Sequence, residues 1–124
     1  MRIEQVDERD SGWESHDARF RVYVFDEFSR STEADGSSTQ YYSTATWDIT
    51  GGDVLAVIEW AQERAGDRGL YSVAVVADGF EAHPDRGLIW LVGMDYQDTP
   101  VEERFREVQQ RMLGRRGRMV IRGE

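Results

Sequence analysis

The sequence predicts a single α+β domain: a mainly antiparallel sheet of four or five strands with two helices, in the order strand-strand-helix-strand-strand-helix. Three observations carry that prediction. Apolar runs of strand length occur near residues 19–25, 40–49, 70–77 and 88–94. Helix-period segments near 54–65 and 100–112 each open on capping residues, and the connection between the last two runs is short enough for a hairpin. With 124 residues, the chain is long enough for one hydrophobic core. The domain is expected to span 1–114, with 115–124 an arginine-rich tail or a short edge strand.

In the first run, Arg19 to Phe25, Phe20, Val22 and Val24 share one face, and Arg21, Tyr23 and Phe25 share the other. Ser29 to Ser38 (SRSTEADGSS) has turn chemistry throughout and reads as a mobile hairpin connection. The second strand, Gln40 to Ile49, offers Tyr41, Ala45, Trp47 and Ile49 to a core and Tyr42, Thr44, Thr46 and Asp48 to solvent or an interface.

Thr50 is the expected N-cap of the first helix, with Asp53 at its third position and an end near Gly66. Val54, Leu55, Val57, Ile58, Ala61 and Ala65 form one broad apolar arc, and Trp60 falls outside it. Trp60 is thus expected either to pack under a neighbouring segment or to face a partner.

Leu70 to Ala77 and Leu88 to Met94 are nearly continuous apolar runs, as in strands buried on both faces, and are placed centrally in the sheet. Thr99-Pro100-Val101-Glu102 then opens the second helix as N-cap, first position and capping-box acid. Its stripe of Val101, Phe105, Val108 and Met112 docks by one narrow seam, and Glu102 to Arg106 and Glu107 to Arg111 have ion-pair spacing. Met119, Val120 and Ile121 form a short apolar patch among the final arginines. If both helices lie on one sheet face, the other face needs a cover: the N-terminal segment, a second copy, or a partner protein.

Composition narrows the chemistry. All fifteen basic residues are arginine, and there is no cysteine, so lysine Schiff-base chemistry, thiol catalysis and thiolate metal sites are excluded. Neither Gly-x-Ser-x-Gly nor Gly-x-Gly-x-x-Gly occurs. Gly51-Gly52 at a helix start reads as a cap rather than a phosphate cradle, because Asp53 already supplies the negative charge. No apolar stretch approaches the length of a membrane span or a signal-peptide core, and the absence of cysteine fits the cytoplasm. No cofactor is expected.

Charge is uneven. Residues 1–100 carry 20 acids and 8 arginines, net −12, whereas 101–124 carry 4 acids and 7 arginines, net +3. An acidic body attracts a basic protein surface and repels phosphate backbones. The chain is therefore expected to be a small acidic, non-enzymatic protein-binding domain of adaptor, inhibitor or toxin-neutralising type, acting on a basic protein partner or through self-association as a homodimer. Trp60, Arg115, Arg116 and Arg118 are its candidate partner-binding residues.

Two alternatives stand beside that expectation. Asp78, Glu81, His83 and Asp85 form a dense group of ligand-capable side chains in one linker, suited to a divalent cation or to acid-base chemistry in a metal- or small-ligand-binding enzyme. One histidine without a second nitrogen or sulfur donor makes a poor zinc site, and a solvated hairpin tip explains the group equally. His16, beside Trp13, is the only other histidine, and Trp13 reads as a plug over the sheet. The second alternative is nucleic-acid association through Arg115, Arg116 and Arg118, although aromatic residues for base stacking are nearly absent there.

Overall fold

A computed structural model describes the whole chain apart from Trp13, Glu14, Ser37, Glu81, Ala82, Gly123 and Glu124. The elements follow the predicted order: β1 (Phe20–Thr32), β2 (Ser38–Ile49), α1 (Val54–Ala65), β3 (Leu70–Phe80), β4 (His83–Val92) and α2 (Glu103–Gly114). One four-stranded sheet has the spatial order β2-β1-β3-β4, and every neighbouring pair is antiparallel. β2 and β3 consequently run parallel with β1 between them, and α1 bridges them across one face. No helix among the described residues is long and apolar enough to cross a membrane.

The helices lie on opposite faces of the sheet. α1 seats Val57, Ala61 and Ala65 on Phe20, Val22, Val24, Tyr71 and Val73. On the other face Met112 of α2 joins Phe25, Tyr42 and Leu70, with Tyr96 packed alongside. Each fully buried valine or phenylalanine stabilises by about 1.5–3 kcal/mol, so both faces contribute to one fold. Gly93 makes the second face possible: its φ is +72°, and a Cβ there would sit 2.9 Å from Ser72 Cβ and 3.1 Å from Met112 Sδ. With a helix on each face, no separate cover is required, and residues 1–12 are exposed throughout. Trp13, the expected plug, lies outside the described residues.

β1 meets β3 only where Phe20–Phe25 face Leu70–Val75. Beyond Phe25 the β1–β2 hairpin continues alone, and beyond Val75 the β3–β4 hairpin continues alone in the opposite direction. The two hairpins are therefore staggered, each overhanging one end of the shared sheet.

Several local expectations are corrected. The stretch 29–38 is not all connection: ladder pairs run to Thr32↔Ser38, and Gly36 N–H bonds to Glu33 C=O at 3.1 Å in the turn. Backbone pairing there outweighs the turn preference of its serines. Tyr42 is a core residue, 8% exposed, whereas Tyr41 is 46% exposed, because Met112 of α2 and Tyr96 cover the Tyr42 face at that level. β4 is an edge strand, not a central one.

The α1 cap is Asp53 rather than Thr50: its carboxylate accepts from Ala56 N–H at 2.9 Å. Gly51 at φ +81° completes the turn first, which delays the helix by one turn. α2 begins at Glu103 with no side-chain cap. Glu102 spends its carboxylate on Arg104, at 2.7 Å, instead of on the backbone, and Arg106 pairs with Glu103 at 3.3 Å rather than with Glu102. Residues 115–122 form no edge strand. They turn after α2 and run back against α1, where buried Gln62 accepts from Val120 N–H at 2.8 Å and Ile121 N–H at 3.0 Å and donates to Ile121 C=O.

Candidate functional site

An apolar concave surface lies where edge strand β2 meets α1. Trp47 projects toward the helix because it pairs with Val22 on the α1 side of the sheet, and it packs at the margin of that core. Trp60 stands on the flank of α1 with its ring centroid 5.3 Å from that of Trp47, nearly perpendicular at 77°. This edge-to-face geometry adds about 0.5–1.5 kcal/mol to the pair. Arg64, one turn after Trp60, holds its guanidinium carbon 5.2 Å from the centre of the Trp47 ring.

Below the pair is a groove of about 390 Å³, lined by Trp47, Asp48, Ile49, Gly52, Ala56, Val57 and Trp60. Its surface is almost wholly apolar, and Gly52 and Ala56 keep it open by lacking bulk. Trp60 remains 37% exposed. The outer edge of β2 borders the groove and, among the described residues, pairs with no other strand.

Acidic groups flank the 50–53 turn at one end of this region. Asp53 and Glu63 are exposed on or beside α1, and exposed Asp17 sits with His16 over the 50–53 turn, lining a second depression of about 440 Å³. Asp48 is already committed: Arg21 donates to both of its carboxylate oxygens, at 2.7 and 3.1 Å, and holds the carboxyl below the usual carboxylate range. By strand alternation this ion pair lies on the sheet face opposite Trp47, away from the groove.

The other candidate residues are scattered. Arg115 and Arg116 are half-buried in the turn after α2, and Arg118 is exposed. Arg116 Nη1 donates to the Tyr42 hydroxyl at 3.1 Å and shares a polar depression with Glu27, Asp67 and Arg68. The turn is seated against the α1–β3 connection, since a Cβ on Gly117, at φ +71°, would lie 3.1 Å from Asp67 C=O. Trp60 and the three arginines do not share one surface feature.

In the β3–β4 hairpin, Asp78 accepts from Arg86 Nε at 2.6 Å, which lowers its carboxyl below the usual range. Asp85 is exposed; Glu81 and the His83 side chain lie outside the described residues. Among the described residues, no three histidine, aspartate or glutamate side chains converge as a metal site would require.

Sequence reasoning missed Trp47, Arg64 and Gln62. The tryptophans lie on different elements, and no local periodicity links them. Gln62 had a signal: it falls within the apolar arc of α1, between Ile58 and Ala65, where a polar residue needs a partner. Comparison with known protein families, with curated proteins and with solved structures finds no match.

Proposed function

We propose that this chain is a small protein-binding domain that captures an extended basic segment of a partner protein at the β2 edge, with an apolar side chain of that segment in the Trp47–Trp60 groove. The half-exposed tryptophan pair over an open apolar groove carries the reading. Indole rings in such a setting are the commonest anchors of protein recognition, and an unpaired strand edge offers main-chain hydrogen bonds alongside. The acidic rim and the net −12 of residues 1–100 favour arginine or lysine flanking the anchor. A role as adaptor, inhibitor or toxin-neutralising protein is consistent with such a surface. The cytoplasm suits it, as cysteine usage suggests.

The alternatives gain less support. Arg116 is engaged with Tyr42, and Asp78 with Arg86.

Panning a displayed random-peptide library on the folded domain tests the reading. Enriched peptides are expected to carry an aromatic or aliphatic residue flanked by basic ones, and Trp60→Ala is expected to weaken them roughly thirtyfold, the effect of losing an anchor of about 2 kcal/mol. Peptides that bind wild type and Trp60→Ala equally well would sink the proposal.

A further inference from the structure

We infer that the wedge between α2 and the end of β4 binds a small amphipathic carboxylate, with its apolar body against Trp90 and Phe105 and its acid group between Arg111 and Arg115. The inference starts from a helix that docks by less than its sequence offers. Phe105, Val108 and Met112 share the apolar stripe of α2, but only Met112, 3% exposed, is buried against the sheet; Phe105 and Val108 stay half-exposed. The stripe is thus seated at its C-terminal end, where Met112 passes beside Gly93. Between the unseated part and β4 lies a cavity of about 300 Å³, whose apolar lining includes Trp90, Met94, Phe105 and Val108. Tyr23 packs on Trp90 with ring centroids 5.1 Å apart and steadies the indole. A space of this size is at the small end of ligand sites and suits a molecule of about a dozen heavy atoms.

Charge gives that molecule its polar end. Arg104 bonds Glu102 at 2.7 Å and Arg106 bonds Glu103 at 3.3 Å, whereas among the described residues neither Arg111 nor Arg115 has an ion pair or a side-chain hydrogen bond. Glu107 stands at ion-pair spacing from Arg111 and does not take it. The two uncommitted guanidiniums are one turn apart, both line the wedge, and no acidic side chain lines it with them. Guanidinium forks match the planar geometry of a carboxylate. The chain's net charge of −9 does not cancel this attraction, because charges more than about 8 Å away are screened at physiological ionic strength, and the arginines are the charges at the wedge itself. One apolar space beside two cations fits a single small acid, where an extended protein segment would need a row of such spaces. The wedge lies at the opposite edge of the sheet from the Trp47–Trp60 groove, and on the opposite face.

Titration with naphthoate, followed by heteronuclear NMR, tests the inference against two probes of matched size, neutral naphthamide and cationic naphthylmethylamine. Naphthoate is expected to bind saturably and to shift the indole N–H of Trp90 and the amides of Phe105 and Val108, with naphthamide about tenfold weaker and the amine weaker still. Arg111→Gln/Arg115→Gln should bring naphthoate down to the affinity of naphthamide and leave naphthamide unchanged. Arg106→Gln/Arg118→Gln, which removes the same charge outside the wedge, should bind naphthoate like wild type. So should Trp60→Ala, which separates this site from the partner-binding groove. The inference is overturned if naphthoate gives no saturable shift along the wedge up to about 5 mM, a limit of about −3 kcal/mol in affinity. Equal binding of naphthoate and naphthamide overturns it too, as does an equal loss in both arginine pairs. So do shifts at these residues that grow with protein concentration when no probe is present, since they would put a second copy in the wedge.

Discussion

Single residues hold polar groups inside this fold under unequal terms. Tyr42 is buried, and its hydroxyl accepts from Arg116; Tyr71 is buried with a hydroxyl that has no hydrogen-bond partner among the described residues. Burial raises the pKa of both phenols, although Arg116 beside Tyr42 and Arg115 beside Tyr71 pull the other way. In the unfolded chain each phenol ionises near pH ~10, so the folded-state stabilisation is complete below that pH. It declines as the pH climbs from there through the raised folded values. Absorbance titration should therefore show tyrosinate still forming above the ordinary tyrosine range, and that late portion should vanish in the Tyr42→Phe/Tyr71→Phe double variant. The single variant Tyr71→Phe should retain or slightly raise stability in denaturant melts, because it removes a buried hydroxyl that is not hydrogen-bonded. A loss of about 2 kcal/mol or more would show that this hydroxyl has a partner after all.

At the level of elements, the sequence was most legible where a pattern is local. The alternation of Phe20, Val22 and Val24, the apolar arc of Val57, Ala61 and Ala65, and the element order all correspond to the structure. Features set by distant contacts were less legible. LIWLV suggested a central strand because composition reports how apolar a strand is, not how many neighbours it has. Tyr41 and Tyr42 exchanged roles because α2, distant in sequence, covers the Tyr42 face at that level, which alternation alone does not reveal. The caps shifted because Gly51 and the Glu102–Arg104 pair redirect the backbone before each helix. The apolar groove was half visible: Trp60 stood out from its arc, but its partner Trp47 is joined to it only in three dimensions. The C-terminal segment depends on one side chain, Gln62, which closes a small ladder with Val120 and Ile121. Gln62→Ala should release that segment at a cost of about 1–2 kcal/mol. Brief trypsin digestion should then cut after Arg118 and Arg122 faster than in wild type, with the rest of the domain equally resistant. Equal cleavage rates in the two proteins would rule out this anchoring role.

The molecule as a whole places different tasks at its two sheet edges. β2 borders the Trp47–Trp60 groove, whereas β4 carries the charged pair Asp85 and Arg86 in its first half and the apolar run Leu88–Val92 in its second. The staggered hairpins bear on how this arrangement is reached. Each hairpin closes between near neighbours in sequence, but the Phe20–Phe25 seam with Leu70–Val75 joins strands about 50 residues apart, and loop closure makes such pairing slow. Folding speed should follow this seam. Val22→Ala and Val73→Ala, both on fully buried seam residues, should mainly slow refolding in stopped-flow chevrons, while Asp53→Ala at the helix cap should mainly speed unfolding. The reverse pattern would place the nucleus in α1. Until the seam closes, each hairpin exposes an unpaired inner edge as well as its outer one, so a newly made chain is at its most prone to wrong pairing before its two halves meet.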